Sequence, residues 1–396
     1  MGRILFVVPP LTGHVNPAVG IAGELAARGQ QVALVGHSGV VGPLVPPEVS
    51  LIALPGEITA EQRGELEARS RSLRGPASLK FLWEEFILPL GDSMARDVTT
   101  IIDQWRPDVV VVDQQAVGAA LAVRRSEARW VTLATTSAES DDPYAVLAGI
   151  GNWVAQQLHQ FQVANGVPEP EATRTDLRFS EELTLICSVP SLLRPGGHPS
   201  HHVFVGCAAG VRRESPDFPW TWLDSDRRTV LVSLGTVTRE AGGRFLRAAA
   251  EALLGMSDRV QGVIVAPAGS LDDLAEKAPD DLLVRSFVPQ VELMPSLDAV
   301  VCHAGNNTVC EALSHGVPLV VAPVRDDQPI IAEQVVRAGA GLRVRFGRST
   351  PATLATAVGA VLDEPSYRAA ATRLRDEFTA AGGVVTAAHQ IEKLLP

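Results

Sequence analysis

Short, continuous apolar runs recur along the chain, each closed by a Gly, Pro or Asn turn and followed by residues at helical spacing. Runs of this kind are strands buried on both faces of a parallel sheet. Ile4-Leu5-Phe6-Val7-Val8 is the first. Asn16 then offers a helix N-cap with Pro17 at N1, and apolar positions continue through Val19, Ala22, Leu25 and Ala26 until Gly29. Gln31–Val35 is the next strand. More strands are expected at Leu51–Leu54, Val109–Val112, Trp130–Leu133, Leu183–Cys187 and His202–Gly206. Residues 57–75 read as a charged loop with a short helix, Leu79–Val98 as a helix interrupted at Pro89, and Ala116–Arg125 as a helix. Residues 134–175 carry no period that assigns them.

From Cys207 to Arg228 the apolar periodicity stops, and Pro216, Pro219, Trp220 and Trp222 stand among charges. This reads as a linker. The strand–helix alternation then restarts. Strands are expected at Thr229–Leu234, Gly262–Ala266, Leu282–Val284, Val300–Cys302 and Leu319–Ala322, with helices at Phe245–Leu254, Asn306–His315 and from Pro329 to Gly339. Gly316 suits a helix C-cap and Pro318 blocks continuation. Ser366–Leu395 reads as an amphipathic helix broken at Gly382-Gly383. The pattern predicts an α/β protein: a doubly wound domain over 1–206, a linker over 207–228, a second such domain over 229–375, and a C-terminal helix over 376–396 that crosses back to the first domain.

The 396 residues are 46% hydrophobic, enough for two cores. A net charge of −11 without a basic cluster argues against nucleic-acid binding. The four cysteines, Cys187, Cys207, Cys302 and Cys310, show no CxxC spacing and mostly sit in apolar runs, which fits buried thiols in a reducing compartment. No apolar run reaches the length of a transmembrane helix, and no signal segment precedes the first strand. A soluble, cytoplasmic protein is expected.

The candidate chemistry lies where strands end. After Val300-Val301-Cys302, a His303-Ala304-Gly305 turn leads into a helix at Asn306-Asn307-Thr308. Such a turn aims backbone N–H groups and a helix N-terminus at one point, which favours an anion and phosphate above all. The alternative is a histidine bracing a turn and an asparagine capping a helix. His14 follows the first strand and Asp113 ends the fourth, on the same expected sheet edge. An imidazole there suits a general base, and a carboxylate can fix its tautomer. Equally, His14 can brace the helix start and Asp113 can cap the next helix. Neither half has the GxGxxG dinucleotide fingerprint. Phe81, Trp83 and Phe86 fall in one helical stretch of a chain with 5% aromatics, as core or as the wall of an apolar pocket.

Taken in order, Gly13-His14-Val15-Asn16-Pro17, Phe287-Val288-Pro289-Gln290, His303-Ala304-Gly305-Asn306-Asn307-Thr308, Glu311, Gly316-Val317-Pro318 and Asp327-Gln328 resemble the GT-B sugar-nucleotide glycosyltransferases. The resemblance is to the macrolide, antibiotic and carotenoid branch, which is related to the UDP-glucosyl and UDP-glucuronosyl enzymes. It runs from end to end, and it implies two Rossmann-like domains facing a cleft. It also implies roles. Phe287 would stack on the base, Gln290 would contact the base and Glu311 the ribose. His303, Asn307 and Thr308 would hold the diphosphate with Thr236 nearby. Asp327 and Gln328 would bind sugar hydroxyls, and Val288, Gly305 and Asn306 complete the donor set. Asn306 stands where plant relatives usually have Trp, and Phe287 where the family often has Trp.

By the same resemblance His14 takes the acceptor's proton, Asp113 stabilises the charged imidazole, and transfer is a single inverting displacement. No metal and no cofactor are implied; the UDP- or TDP-linked sugar is a co-substrate. Thr12, Phe81, Trp83, Phe86 and Tyr144 are assigned to a small hydrophobic acceptor: a polyketide, macrolide, aromatic aglycone or carotenoid. A homodimer is compatible with this reading. The competing readings are a sugar-nucleotide epimerase, a non-catalytic nucleotide-sugar-binding activator, and an NAD-dependent oxidoreductase.

Overall fold

The computed structural model describes the chain apart from residues 57–58, 71–72, 74, 142–147, 209–216 and 236–241 and the side chains at 60, 63, 67, 141 and 148. Two compact units result, Met1–Val211 with Ala381–Pro396, and Arg212–Ala380. The division therefore falls inside the expected linker and again between residues 380 and 381.

In the first unit the strands are β1 (Arg3–Val7), β2 (Gln31–Gly36), β3 (Ser50–Ala53), β4 (Val109–Asp113), β5 (Arg129–Ala134), β6 (Leu183–Ile186) and β7 (His202–Phe204). All pair in parallel, in the order β3-β2-β1-β4-β5-β6-β7. Every residue of β4 is buried, as its unbroken valine run requires. Alternate strand residues feed two cores. Leu5, Val7, Val110 and Val112 face one, and Ile4, Phe6, Val109 and Val111 face the other.

Helix α1 spans Thr12–Ala27 and buries Val15, Ala18, Ile21 and Leu25. It starts earlier than expected. Leu11 is the N-cap and Pro17 lies inside the helix. Leu11 accepts the first helical bond from Val15, at 3.0 Å. Pro17 forfeits only the bond that would reach Gly13, in a first turn whose carbonyl is next to exposed backbone. His14 thus sits in the first turn of a rigid helix rather than in a loop before it.

The interruption expected at Pro89 takes a specific form. An α-helix over Pro76–Leu82 passes through a π turn at Trp83–Ile87 into α2, Leu88–Trp105. Pro89 lacks an N–H and its ring crowds the carbonyl four residues back, and a widened turn relieves both. Helix α3 (Val117–Arg124) lies against α2. Their approach is close, because a Cβ built on Gly118 would stand 1.9 Å from the Gly91 carbonyl oxygen.

The helix Gly383–Glu392 belongs to this unit. Ala387, Ala388 and Ile391 enter the α1 core, and Glu392 accepts from Arg28 Nη1 at 2.9 Å and Gln30 Nε2 at 3.0 Å. Gly382 (φ +80°) and Gly383 (φ +58°) separate it from the preceding helix, Pro365–Ala381. Two consecutive left-handed residues are feasible here because both are glycine.

The second unit has β8 (Arg228–Ser233), β9 (Val260–Val265), β10 (Leu282–Arg285), β11 (Ala299–Cys302), β12 (Leu319–Val321) and β13 (Gly341–Arg343). They pair in parallel as β10-β9-β8-β11-β12-β13. Helix α4 (Gly243–Leu254) covers one face; α5 (Asn306–Ser314) follows β11 and α6 (Gln328–Arg337) follows β12. None of the four cysteines is in a disulfide; Cys187, Cys302 and Cys310 are buried and Cys207 is half-buried. Among the described residues no helix is long and apolar enough to cross a membrane.

Candidate active site

Each sheet reverses its winding direction once, between β1 and β4 in the first and between β8 and β11 in the second. Ligands of open α/β sheets gather at such switch points, beyond the strand C-termini. The sequence candidates lie at both.

In the first unit, β1 leads into α1 and presents His14, while Asp113 is the last residue of β4. His14 Nδ1 lies 2.9 Å from Asp113 Oδ2 and 3.0 Å from Oδ1. Asp113 is 1% exposed. Its Oδ1 also accepts the Gln115 N–H at 2.9 Å, and its backbone oxygen accepts from Ala116 at 2.8 Å. A buried carboxylate held by that many donors is fixed in orientation. A carboxylate oxygen accepts, so a hydrogen on Nδ1 of His14 satisfies both groups and leaves the Nε2 lone pair for a substrate.

Thr135, just past β5, completes the cluster. Its Oγ1 is 2.7 Å from His14 Nδ1 and donates to Asp113 Oδ2 at 2.8 Å. Sequence reasoning missed it. The available signal was its position: one residue beyond a strand adjacent to β4, on the same edge as Asp113.

The aromatic candidates divide. Trp83 is 1% exposed, within the core and inside the π turn. Phe81 and Phe86 are half-buried, and the Arg69 guanidinium lies 5.3 Å from the Phe81 ring. Thr12 is half-buried in the first turn of α1, two residues from His14. Tyr144 lies outside the described residues.

In the second unit, Gly305 is the N-cap of α5 in extended conformation; it makes no side-chain cap bond, and the first turn holds no acid. The positive end of the helix dipole favours an anion there. Ala304 (φ +66°) and Asp326 (φ +55°), one after β11 and one after β12, are non-glycine residues in the left-handed region. Strain held at two neighbouring strand ends is a mark of a built site.

His303 is wedged between backbones. A Cβ on Gly305 would stand 2.5 Å from its Nε2, and a Cβ on Gly235 would stand 2.7 Å from its Cε1. Burial pushes its pKa down to about 4, opposed by a hydrogen bond with the Ser233 backbone and helped by the nearby Arg325 cation. The imidazole is therefore neutral near pH 7. Towards a diphosphate it offers hydrogen bonding rather than charge, and among the described residues Arg325 is a cation close to it. Arg325 is 8% exposed and 3.5 Å from Asp326. Sequence reasoning also passed it over, although it directly precedes Asp326-Asp327.

Gln290 Nε2 donates to Glu311 Oε2 and, at 3.3 Å, to Thr308 Oγ1. Thr308 and Glu311 are three apart on α5 and share a face. Phe287 is 48% exposed, a large ring presented to solvent, whereas Val288 beneath it is buried. Asn306 and Thr308 are buried, and Asn307 is half-buried. Asp327 is the N-cap of α6. Gln328 is largely committed: its Oε1 accepts the N–H of Val324 at 2.9 Å and of Arg325 at 3.2 Å. Only its Nε2 is left for a substrate hydroxyl. Thr236 lies outside the described residues. Among the described residues no three His, Cys, Asp or Glu side chains converge as a metal-ligand set.

Two Rossmann-like parallel sheets, each with candidate groups at its switch point, define the GT-B class. Solved glycosyltransferases share this fold over the full chain: that of kitacinnamycin (TM-score 0.76, 24% identity, 100% of this chain and 99% of that one) and the calicheamicin glycosyltransferase CalG4 (TM-score 0.75, 21% identity, 100% and 98%). Residues 251–394 match the erythromycin biosynthesis protein CIII-like C-terminal domain. The 4'-demethylrebeccamycin synthase of Lentzea aerocolonigenes is 31% identical, covering 99% of each chain. Demethyllactenocin mycarosyltransferase of Streptomyces fradiae is 29% identical over 100% of this chain and 87% of its own. The chain belongs to this family of antibiotic glycosyltransferases.

Proposed function

We propose that the protein transfers a sugar, with inversion, from a UDP- or TDP-linked donor to a hydroxyl of a hydrophobic natural product. The observation that carries this reading is the His14–Asp113 pair, with Nδ1 held 2.9 Å from the carboxylate so that a hydrogen on Nδ1 leaves Nε2 as the base. In this mechanism Nε2 takes the acceptor's hydroxyl proton, and the acceptor oxygen forms a bond to C1 of the sugar. The C1–oxygen bond to the diphosphate breaks on the opposite face, and the nucleoside diphosphate leaves with the electron pair. Asp113 stabilises the imidazolium. The second unit supplies the donor site: Phe287 for the base, Glu311 with Gln290 for the ribose, the α5 N-terminus and His303 for the diphosphate, and Asp327 for the sugar. Charge on the leaving group is met by dipoles and by Arg325, without a metal or a cofactor. The names of the relatives, a 4'-demethylrebeccamycin synthase and a demethyllactenocin mycarosyltransferase, support an antibiotic-like acceptor.

Calorimetric titration of the protein with UDP, TDP, ADP and NAD, without added metal, tests the donor class. Binding of UDP or TDP alone is expected. Binding of NAD, or of none of the four, overturns the reading.

A second test is Gly305→Ala. The new methyl must displace the His303 ring, which the reading assigns to the diphosphate, so affinity for UDP or TDP should fall by about tenfold or more. Unchanged affinity would separate His303 from donor binding.

A further inference from the structure

We infer that Thr135 is a positioning residue for the sugar transfer, fixing the tautomer of His14. The inference rests on the reading of His14 as the base.

The argument is a count of protons. Three acceptor atoms surround His14 Nδ1: Asp113 Oδ1 at 3.0 Å, Asp113 Oδ2 at 2.9 Å and Thr135 Oγ1 at 2.7 Å. The threonine hydroxyl has one hydrogen, and both His14 Nδ1 and Asp113 Oδ2 lie within its reach. Asp113 Oδ2, 2.8 Å away, is a carboxylate oxygen and the stronger acceptor, so the hydroxyl hydrogen goes there. Towards His14, Oγ1 then has only lone pairs to offer. It accepts from Nδ1, and it does so at the shortest of the three distances. A bare Nδ1 would face lone pairs on both carboxylate oxygens, and the hydroxyl could meet it only by withdrawing its hydrogen from Asp113 Oδ2. Thr135 therefore penalises the wrong tautomer through its bond to Asp113.

Thr135 also settles Asp113. Gln115 N–H holds Oδ1 and the Thr135 hydroxyl holds Oδ2, so each carboxylate oxygen has its own donor besides the imidazole. Thr135 is 2% exposed, and β5 carries it beside β4 in a parallel pair that ends at Asp113↔Leu133. The hydroxyl is thus placed by sheet register, not by a mobile loop. The other titratable groups that feel Asp113 are Glu139, paired with Arg178 at 3.1 Å, and Cys187, whose buried thiol is pushed up and stays neutral. Thr135 is hydrogen-bonded to the His14 ring itself.

The test pairs Thr135→Val, which keeps the shape and loses the hydroxyl, with Thr135→Ser, which keeps the hydroxyl. Turnover is read as UDP or TDP release with an acceptor selected from hydroxylated aromatic and macrolactone aglycones. Thr135→Val should lower kcat at least about tenfold, with donor and acceptor KM within about twofold of wild type, and Thr135→Ser should restore most of it. Nitrogen NMR of the wild-type protein above the His14 pKa should show His14 protonated at Nδ1. Thr135→Val should add a population protonated at Nε2.

A wild-type spectrum with Nε2 protonated overturns the inference without any variant. So does a Thr135→Val enzyme with unchanged kcat, or one whose loss lies entirely in donor KM, which would make Thr135 a substrate contact. The two levels remain separable. If His14→Ala keeps its turnover, the base assignment falls. If His14→Ala is inactive while Thr135→Val turns over normally, only the positioning role falls.

Discussion

Replacing His14 with alanine is expected to lower turnover by about 10²–10⁴-fold, the usual contribution of a positioned general base. UDP or TDP affinity should stay within about twofold of wild type, because the groups assigned to the donor belong to the second unit. A sugar-acceptor hydroxyl has a pKa far above neutrality, so without Nε2 its proton must leave to water as the C1 bond forms. Asp113 does not substitute, since it is buried and its oxygens are already engaged by Gln115, Thr135 and the imidazole. Single-turnover kinetics with saturating donor would isolate the chemical step. Turnover within tenfold of wild type would remove His14 as the base.

Gly118→Ala is expected to reduce both stability and rate. The added Cβ would stand 1.9 Å from the Gly91 carbonyl oxygen, 2.7 Å from its carbonyl carbon and 2.9 Å from its Cα. These are backbone atoms and cannot rotate away, so α2 and α3 must separate. Overpacking of this kind costs about 1–3 kcal/mol and sometimes more, and it outweighs the gain of about 1 kcal/mol from replacing a helical glycine. A fall of about 2–4 °C in Tm for each kcal/mol lost should follow in a unit of this size. Rate is affected because α3 begins four residues after Asp113, on a turn whose first bond runs from Ala116 N–H to the Asp113 carbonyl at 2.8 Å. A shift of this turn moves the carboxylate, and misplacement by about 1 Å costs on the order of 10²-fold in rate. Gly64→Ala is the control. Gly64 is in an exposed helix with nothing within 4 Å of a new Cβ, so stability should hold or rise slightly. A Gly118→Ala protein melting within a degree of wild type would refute the packing account.

Much of this was legible beforehand because buried parallel strands are written as unbroken apolar runs. Val109–Val112 and Ile4–Val8 read as strands and are strands, and their ends located His14 and Asp113. Elements without such a signal were missed. The helix Ala148–Ala164 lies in a stretch where glycine and glutamine blur the period, and β13 has three residues, too few to show one. The start of α1 was placed at Asn16 because Asn-Pro is a strong local cap signal. The alternative start at Leu11 wins by burying Val15 against the sheet together with Ala18 and Ile21.

By itself the sequence determined that the chain alternates strands and helices in two halves, roughly where the long buried strands end, and so which histidines and carboxylates share a sheet edge. These properties are set by local period and by turn residues, and neighbours along the chain are enough to specify them. Only the tertiary structure decided which candidates meet. It joined Thr135 to His14 across 121 residues, wedged His303 between Gly235 and Gly305, spent Gln328 on its own loop and put Trp83 in the core. The reason is physical. Contact across strands depends on sheet order and register, and burial sets whether a side chain faces a ligand or its own fold.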